Sequence, residues 1–410
     1  MADLRRAGSS GGRIAAYAMV LIASTVGFPV AAAGVAAAPV PSCLGEPATI
    51  VADGPVTTGT SGPDVIVGRT DFDQIDPGGG RDLVCSRGGW DDVTDNDPAR
   101  DRISLGAGSD VLISGPGAKA SVDGGAPASA NTSDGDDIVY RGQSGVTVDL
   151  RATSDSRGNQ ILGMESVGGT PARDVITGTS AVNQLFGGGG RDDIRGLEGD
   201  DQIAISGPKQ TWSGVAHLIG GPGGDHFYVK TRGALVVLGG AGNDLVDGGN
   251  GPDRLNGGRG ADFLTGDGGA DLLRGGRGAD RLVAGYGDDT MSGGPGRDSW
   301  LNFDSYFGSA PGRVTTVRIG AGTVRDKVGD VVFHDRLAGI EVYRGARDVE
   351  HVYGSAGHDV VDTRGTEGHL VDLVYGRGGN DHLVAPRHGR IDGGAGRDYC
   401  RAQTVSRCER

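Results

Sequence analysis

The chain has few aromatic residues for its length. It holds 8 Phe, 3 Trp and 9 Tyr in 410 residues. Its 53 acidic residues include only seven Glu, which leaves 46 Asp, and Lys is equally scarce, with four against 35 Arg. Helices favour Glu over Asp, and Asp belongs to turns. These shortages argue against a layered globular enzyme with a bulky aromatic core.

The usual catalytic signatures are also missing. No HExxH zinc motif occurs, and the eight His are scattered over residues 217–388. The only G-x-S-x-G match lies at residues 8–12, within an N-terminal leader-like segment, so it is a chance match. The net charge of −14 disfavours nucleic acid and anionic membranes as partners and favours a cation. The sequence therefore predicts no enzyme and no nucleic-acid binding.

The N-terminus predicts the route that the chain takes. Three Arg within residues 5–13 precede an apolar, Ala-rich stretch over residues 14–38, with cleavage sites after Ala33 or Ala37. We interpret residues 1–38 as a Sec-type signal peptide; the alternative, a retained membrane anchor, is disfavoured by the Ala and Gly content and the prolines that follow. We expect a secreted, extracellular protein with no membrane span after cleavage, free or associated with the cell surface.

The four cysteines fit an oxidising compartment. Cys43, Cys85, Cys400 and Cys408 allow three pairings. We favour Cys43–Cys85 and Cys400–Cys408, because each bridge would close one end of the mature chain. The alternative is four free thiols.

What the chain has in excess is Gly, 80 residues, and its arrangement is periodic. Residues 239–301 divide into seven uninterrupted nonapeptides: GGAGNDLVD, GGNGPDRLN, GGRGADFLT, GDGGADLLR, GGRGADRLV, AGYGDDTMS and GGPGRDSWL. Position four is always Gly, position six is always Asp and position eight is always apolar. The chain therefore has an internal repeat of nine residues.

This period predicts a shape. Glycines at positions one, two and four permit a turn with positive φ, and the last three residues form a short strand whose position-eight side chain points inward. Two nonapeptides make one coil of 18 residues, and stacked coils give parallel strands about 4.8 Å apart around a thin aliphatic core. Such a core needs few aromatic residues.

The same stacking aligns each position-six Asp with the Asp two repeats away. Two carboxylates about 5 Å apart repel by about 0.8 kcal/mol in water and about 3 kcal/mol at an effective dielectric constant of 20. A hard divalent cation between them removes the repulsion, and glycine turns offer carbonyl oxygens to complete the six to eight ligands that calcium takes. The pattern predicts at least five such sites, at the pairs 244/262, 262/280, 280/298, 253/271 and 271/289.

The repeats resemble the hemolysin-type, or RTX, calcium-binding nonapeptide GGxGxDxUx, in which U is a large apolar residue. The departures in the run are Asp267 at position two and Ala284 at position one. The resemblance implies an all-β, right-handed parallel β-roll or β-solenoid with calcium in its turns. The alternative is that the Asp side chains only solvate the turns. The cleavable leader and the excess of Arg make the chain similar to the Sec-secreted actinobacterial members.

Diverged copies surround the run. GGPGGDHFY, at 220–228, adds the pair Asp225/Asp244 and leaves the half-coil 229–238, which lacks a ligand, on the opposite edge. Two copies at 187–204 supply Asp192 and Asp201. The predicted ligands, carboxylates at position six and carbonyls at positions two and four, are Asp192, Asp201, Asp225, Asp244, Asp253, Asp262, Asp271, Asp280, Asp289, Asp298, Gly240, Gly242, Gly249, Gly251, Gly258, Gly260, Gly276 and Gly278.

Weaker copies lie nearer both ends. For those in the N-terminal part the sequence leaves open whether the turns hold calcium or keep their shape without a ligand. Isolated copies occur in the remaining parts of the chain. The Asp residues concerned are Asp64, Asp73, Asp82, Asp91, Asp101 and Asp110 in the first group, and Asp137, Asp174, Asp359, Asp381 and Asp398 in the second.

Two segments break the nonapeptides and resemble the β-rich spacers between RTX blocks. They give a predicted organisation of six parts: signal peptide 1–38, diverged repeats 39–143, spacer 144–186, central β-roll 187–301, spacer 302–353, and C-terminal repeats with a Cys-containing cap 354–410.

The predicted role is that of a calcium-binding protein whose ions are structural. We expect an extracellular scaffold, adhesion or matrix protein that is a monomer and contacts a surface polysaccharide or protein. The alternative is a calcium-dependent polysaccharide lyase or epimerase with its groove on the solenoid surface, for which Arg313, Arg318 and Arg325 are candidate basic residues beside a polyuronate.

Overall fold

The regular structure of the chain is made of strands. The computed structural model describes residues 40–125, 135–206, 214–301, 314–318, 322–328, 331–338, 342–344, 349–363, 373–385 and 389–408. The predicted signal peptide and Arg313 lie outside these ranges. Within them the regular elements are all strands, and no helix could cross a membrane. The predicted all-β fold is confirmed.

Most of the 42 strands are three residues long, as expected of the last three positions of a nonapeptide. In chain order they are β1 (Ser42–Cys43), β2 (Glu46–Pro47), β3 (Ile50–Val51), β4 (Val56–Thr58), β5 (Val65–Val67), β6 (Gln74–Asp76), β7 (Leu83–Cys85), β8 (Gly88–Gly89), β9 (Asp92–Asp95), β10 (Arg102–Ser104), β11 (Ala107–Gly108), β12 (Val111–Ser114), β13 (Ser121–Asp123), β14 (Asp137–Tyr140), β15 (Thr147–Asp149), β16 (Gln160–Leu162), β17 (Ser166–Gly168), β18 (Val175–Thr177), β19 (Gln184–Phe186), β20 (Asp193–Arg195), β21 (Gln202–Ser206), β22 (Val215–Pro222), β23 (His226–Lys230), β24 (Ala234–Ala241), β25 (Leu245–Asp247), β26 (Arg254–Arg259), β27 (Phe263–Thr265), β28 (Leu272–Arg277), β29 (Arg281–Val283), β30 (Thr290–Ser292), β31 (Ser299–Leu301), β32 (Val314–Arg318), β33 (Thr323–Val328), β34 (Val331–Ala338), β35 (Val342–Arg344), β36 (Val349–Tyr353), β37 (Val360–Asp362), β38 (Leu373–Tyr375), β39 (His382–Val384), β40 (Arg390–Asp392), β41 (Tyr399–Arg401) and β42 (Thr404–Ser406).

Most successive strands alternate between opposite walls of a parallel solenoid, while β1 with β2 and β8 with β11 form two small separate sheets. One wall is a single run of parallel pairs from β4 through β23, β25 and β27 to β41. The other wall begins as a sheet of six strands that ends at β16 and continues as a sheet of 15 strands that starts at β15. In the central part Val246 pairs with Leu264 and Leu264 with Leu282, so the register advances by 18 residues per coil. The predicted parallel β-roll is confirmed.

The core is one apolar side chain per strand. Val246, Leu264 and Leu282 on one wall face Leu255 and Leu273 on the other, and all five are at most 1% exposed. They are the position-eight residues of the repeat. Because side chains of a strand alternate in direction, the residues on either side of position eight point away from this core, although Thr265 and Val283 at position nine are also buried. The narrow interior accounts for the shortage of aromatic residues.

Glycine is required in the turns for two separate reasons. Gly258 has φ of +112° and Gly260 has φ of +137°, a region that side chains disfavour. A Cβ built on Gly258 would lie 2.2 Å from the carbonyl oxygen of Gly240, one coil earlier, and one built on Gly260 would lie 1.7 Å from that of Gly242. At these two glycines the turns therefore stack too closely for any larger residue.

The two non-repeat segments enter the stack in different ways. Around residues 145–163, β16 pairs with β13 and is the last strand of the six-stranded sheet, whereas β15 pairs with β18 and is the first strand of the 15-stranded sheet. Farther on, β32, β33 and β34 form antiparallel pairs inserted between the parallel strands β30 and β36. Arg318 pairs with Thr323 and Arg325 with Thr316 in this insertion.

Both predicted disulfides are confirmed. Cys43 of β1 is bonded to Cys85 of β7, with Cα atoms 5.5 Å apart, and Cys400 of β41 is bonded to Cys408, with Cα atoms 6.0 Å apart. The bridges tie down the first and last described coils.

Candidate metal centres

The predicted position-six aspartates are buried in columns along the stack. In most of them the Oδ1 atom accepts a hydrogen bond from the backbone N–H of the aspartate one coil earlier. Asp244 N–H donates to Asp262 Oδ1 at 2.9 Å, and Asp262 N–H donates to Asp280 Oδ1 at 3.0 Å. All ten predicted Asp residues are at most 3% exposed. The stack thus brings like charges together away from water.

Two columns run through the central β-roll. The first column contains Asp201, Asp225, Asp244, Asp262, Asp280 and Asp298, and the second column contains Asp253, Asp271 and Asp289. The second column starts where the half-coil without an aspartate lies, because the N–H of Leu235 donates to Asp253 Oδ1 at 2.8 Å. The structure therefore places side by side all five predicted pairs and the added pair Asp225/Asp244.

Asp192 lies in a separate, shorter series. Its Oδ1 accepts from the N–H of Asp174 at 2.9 Å, and Asp174 Oδ1 accepts from Val146. The neighbour of Asp201 on the N-terminal side is Asn183, whose N–H donates to Asp201 Oδ1 at 2.8 Å. A neutral amide can therefore occupy the position-six place.

The second carboxylate oxygen, Oδ2, has a different environment. It is buried and has no hydrogen-bond partner among the described residues in eight of the ten predicted Asp residues: Asp192, Asp201, Asp225, Asp244, Asp253, Asp262, Asp271 and Asp280. Buried polar atoms are normally paired, so a whole series of unpaired anionic oxygens indicates atoms that bind an electropositive partner.

The place that this partner would take is set by the position-one glycines. A Cβ built on Gly239 would lie 2.2 Å from Asp244 Oδ2 and 2.6 Å from the carbonyl oxygen of Gly257 in the next coil. A Cβ on Gly248 would be 3.0 Å from both Asp253 Oδ2 and the carbonyl oxygen of Gly266. A carboxylate and a carbonyl oxygen, neither of which can donate, thus face the same cradle. This donor set is the hard oxygen type that calcium binds.

The predicted glycine ligands at positions two and four are placed differently from one another. The position-two carbonyls of Gly240 and Gly258 point at the position-two glycine of the next coil. The position-four carbonyl of Gly251 and Asp271 Oδ1 both face Gly269, at 2.1 and 2.9 Å from a Cβ built there. In the same way, the carbonyl oxygen of Gly242 faces Gly260, and that of Gly260 faces Gly278. A Cβ built on Gly276 would face the carbonyl oxygen of Gly258, and one built on Gly249 would face the carbonyl oxygens of Thr231 and Val229.

Position-four carbonyls therefore lie beside Oδ1, and position-one carbonyls lie beside Oδ2. The sequence hypothesis did not include the position-one carbonyls, such as those of Gly257 and Gly266. Nothing in a run of glycines tells which carbonyl turns toward the aspartate, so no sequence signal could have found them.

Burial and like charge perturb these carboxylates strongly. Desolvation and the nearby Asp271 raise the pKa of Asp253 to about 9, and desolvation, with Asp289 and Asp267 adding repulsion, raises that of Asp271 to about 8. Desolvation also raises the pKa values of Asp244 and Asp262 to about 6. Without a cation the folded columns thus favour protonated acids, and a bound cation would restore the charged form.

The diverged N-terminal copies build the same columns. Asp64, Asp82 and Asp101 form one, and Asp73, Asp91 and Asp110 begin another, with N–H to Oδ1 distances of 2.8–2.9 Å. The second of these continues through Asp136, not Asp137, and ends at Glu165, whose Oε2 accepts from Asp136 N–H at 2.8 Å. The sequence assignment of Asp137 is wrong because Asp137 is the first residue of strand β14.

The C-terminal copies do likewise. Asp359 N–H donates to Asp381 Oδ1 and Asp381 N–H donates to Asp398 Oδ1, both at 2.9 Å. A Cβ built on Gly376 would lie 2.5 Å from Asp381 Oδ2 and 2.3 Å from the carbonyl oxygen of Gly393. The cradle of the central β-roll therefore recurs near the end of the chain.

Comparison with known proteins agrees with this geometry. The family model of the RTX calcium-binding nonapeptide repeat, which spans four copies, matches residues 58–92, 98–118, 168–203, 238–273 and 265–299. No curated protein matches the chain. The matched ranges contain every member of the first and second columns except Asp225, and they contain most of the aspartates of the N-terminal columns. Over these ranges the chain therefore carries RTX calcium-binding nonapeptide repeats.

Proposed function

We propose that this protein is secreted and that its calcium ions are structural, holding together a β-roll that works outside the cell as a scaffold, adhesion or matrix protein. The observation that carries the proposal is the series of buried Oδ2 atoms that lack a partner in the part of the chain that the structure describes. Calcium bound there would supply the positive charge that the columns lack.

The energetics favour calcium as part of the fold. Neighbouring carboxylates of a column are one coil apart, about 4.8 Å, where two charges repel by about 3 kcal/mol at an effective dielectric constant of 20. The core opposes this with one apolar side chain per strand. Because an ion that binds only the folded state adds its binding free energy to the stability, the metal-free β-roll is expected to unfold and the calcium-bound one to fold.

Chelation tests this directly. Removing calcium should abolish the β-structure of residues 187–301, measured by far-UV circular dichroism of the full chain and by loss of protection in hydrogen exchange. Adding calcium back should restore both. A far-UV spectrum that is unchanged in excess chelator would refute a structural role for calcium.

Secretion is supported by the N-terminal segment and by the two disulfides, which persist in oxidising compartments. Low cytosolic calcium would keep the β-roll unfolded until export. Expression of the full gene in a Gram-positive host should yield mature protein in the medium or on the cell surface. Its N-terminus, read by mass spectrometry, should follow Ala33 or Ala37; a full-length chain retained in the cell would contradict the proposal.

The scaffold role is proposed for a monomer that contacts an extracellular polysaccharide or protein. Light scattering in calcium tests the monomer, and binding to washed cell walls before and after digestion of their protein or polysaccharide tests the partner. Binding that chelator abolishes and calcium restores would support the role.

A second candidate is a calcium-dependent polysaccharide lyase or epimerase. A shallow groove on the outer face of β24, β26 and β28 is lined by Arg259, Arg274 and Arg277, which suits an anionic chain. Alginate and pectate are the substrates to test, with the ultraviolet absorbance of unsaturated products as the readout for a lyase and the uronate composition by NMR for an epimerase. Calcium-dependent product from either substrate would favour this candidate over the scaffold.

A further inference from the structure

Three aspartates meet at the turn between β9 and β10. Asp95 is the last residue of β9, Asp97 lies within the turn, and Asp101 directly precedes β10. One carboxylate oxygen from each lies within 4.8 Å of the other two. Asp101 stands at position six of its column, whereas Asp95 and Asp97 lie in the preceding turn, where the regular repeat has glycines and this copy has one extra residue. The group is therefore a different arrangement from the column pairs.

Two of the three side chains are almost fully buried and have an oxygen without a partner. Asp95 is 2% exposed and Asp101 is 1% exposed. The Oδ2 atoms of both are buried and accept no hydrogen bond from any described residue. Of the ion pairs found in the described ranges, none includes Asp95, Asp97 or Asp101.

The backbone holds the three carboxylates in place. Asp97 N–H donates to Asp95 Oδ1 at 3.1 Å, and Asp82 N–H donates to Asp101 Oδ1 at 2.9 Å. Asp97 itself accepts from the N–H groups of Gly80 and Ala99, at 2.9 and 2.8 Å. Asp95 and Asp101 are thus each oriented through Oδ1, and Asp97 is oriented through both of its oxygens. The buried Oδ2 atoms of Asp95 and Asp101 remain for another partner.

A buried carboxylate of the same molecule shows the contrasting arrangement. Asp155, 9% exposed, accepts from the hydroxyl of Tyr140, from the side-chain amide of Asn159 and from the backbone N–H groups of residues 157–159. Its charge is met entirely by protein donors. Burial of a carboxylate in this fold therefore does not by itself leave oxygens unpaired, as they are at Asp95 and Asp101.

We infer that Asp95, Asp97 and Asp101 form a calcium site of three carboxylates at the edge of the N-terminal coils, with Asp101 also a member of the column that contains Asp82. The site supplies three carboxylates to one ion, whereas a column pair supplies two, and the half-exposed Asp97 leaves a side for water to complete the coordination. Higher ligand charge at one ion gives tighter binding. We expect this site to retain calcium at concentrations that empty the column pairs.

The test is the number of calcium ions bound per full-length chain, counted by native mass spectrometry during stepwise chelation. Asp97→Asn removes one charge from the half-exposed member, and Asp95→Asn removes one from a buried member. Asp123→Asn, an exposed aspartate at the end of β13, is the matched control. Far-UV circular dichroism of each variant in calcium checks the fold, and if Asp95→Asn does not fold, Asp97→Asn decides.

The expected result is one ion fewer in Asp97→Asn and Asp95→Asn at intermediate calcium, with at least tenfold weaker binding of that ion, and an unchanged count in Asp123→Asn. If wild type binds several ions and Asp97→Asn keeps all of them with unchanged affinity, the site is refuted while calcium binding by the columns stands. If wild type binds a single ion that Asp97→Asn loses, the site stands and the structural role of the columns fails.

Discussion

Replacing Asp271 with Asn should have opposite consequences with and without calcium. Asp271 is the middle member of the second column, between Asp253 and Asp289, so it belongs to both predicted ion sites on that edge. Asparagine keeps an Oδ1 acceptor for the N–H of Asp253, removes the charge and replaces Oδ2 with an NH2 group. Asn183 already occupies the equivalent place in the chain, 1% exposed, so the fold accepts an amide there.

The magnitude follows from the pKa of Asp271. In the folded, metal-free chain it is raised from 3.8 to about 8, mainly by burial. An acid whose folded pKa is raised destabilises the fold progressively as pH increases from its unfolded to its folded pKa. At pH 7 the penalty is about 4 kcal/mol, and Asp271→Asn should remove most of it. In calcium, the variant removes one carboxylate from each of two ion sites. If free calcium is a hundred times the Kd of each site, the loss of both ions lowers the stability by about 5 kcal/mol.

Urea unfolding of the full chain, followed by far-UV circular dichroism at pH 7, measures both quantities. A stabilising osmolyte can be added equally to all samples to populate the folded metal-free state. Asp271→Asn should raise the midpoint in chelator and shrink the increase that calcium produces. Asp53→Asn, at an exposed aspartate outside the columns, makes the same change of charge and should do neither. A variant less stable than wild type in chelator would refute the repulsion argument, and an unchanged calcium increment would refute the ligand role.

Three further results are expected. Because the raised carboxylate pKa values favour the protonated fold, stability in metal-depleted buffer should fall as pH rises from 4 to 8, while calcium binding should strengthen over the same range; a parallel trend of both in thermal melts would contradict this. Gly239→Ala places a Cβ 2.2 Å from Asp244 Oδ2 and should weaken calcium binding at least tenfold in a calorimetric titration, whereas Gly54→Ala, with nothing within 4 Å, should not. Replacing Cys43 and Cys85 with Ser removes a bridge across 42 residues and should lower stability by about 4 kcal/mol, visible as earlier proteolysis of the N-terminal coils; an unchanged digestion pattern would count against it.

The sequence predicts the central β-roll well because its rules are local. Position eight must be apolar to reach the interior, as Leu264 and Leu273 do, and glycine must fill turns whose φ is positive, as Gly260 does. Because both rules repeat every nine residues, the sequence alone predicts a coil of 18 residues and shows which aspartates are paired in the columns.

Counting fails where the chain inserts residues between coils. Asp201 and Asp225 are 24 residues apart and Asp136 and Glu165 are 29 apart, yet each pair is joined by an N–H to carboxylate hydrogen bond. Once a loop adds residues between two coils, counting in steps of nine or 18 residues no longer identifies which aspartates are neighbours in the stack. Their common signal is an acidic residue before a short apolar strand, which holds for Asp225 and Glu165 alike.

The orientation of individual oxygens is also beyond the sequence. The carboxylate at position six is predictable as a ligand type, but the position-one carbonyl that faces Asp244 Oδ2 depends on how two turns stack. The cluster of Asp95, Asp97 and Asp101 is invisible for a similar reason. Its members span a turn that departs from the repeat, and only the return of the chain into β10 brings Asp101 to the other two.

The hydrogen bonds that link the columns all run one way. Each aspartate offers its N–H to the coil that follows and its carboxylate to the coil before, as Asp244, Asp262 and Asp280 do. The stack therefore has two unlike ends, as a polar filament has. Coils removed from the C-terminal side leave a donor unmatched, and coils removed from the N-terminal side leave an acceptor. A chain that emerges N-terminus first cannot finish any coil until its successor arrives, so the order of emergence itself delays closure of the columns.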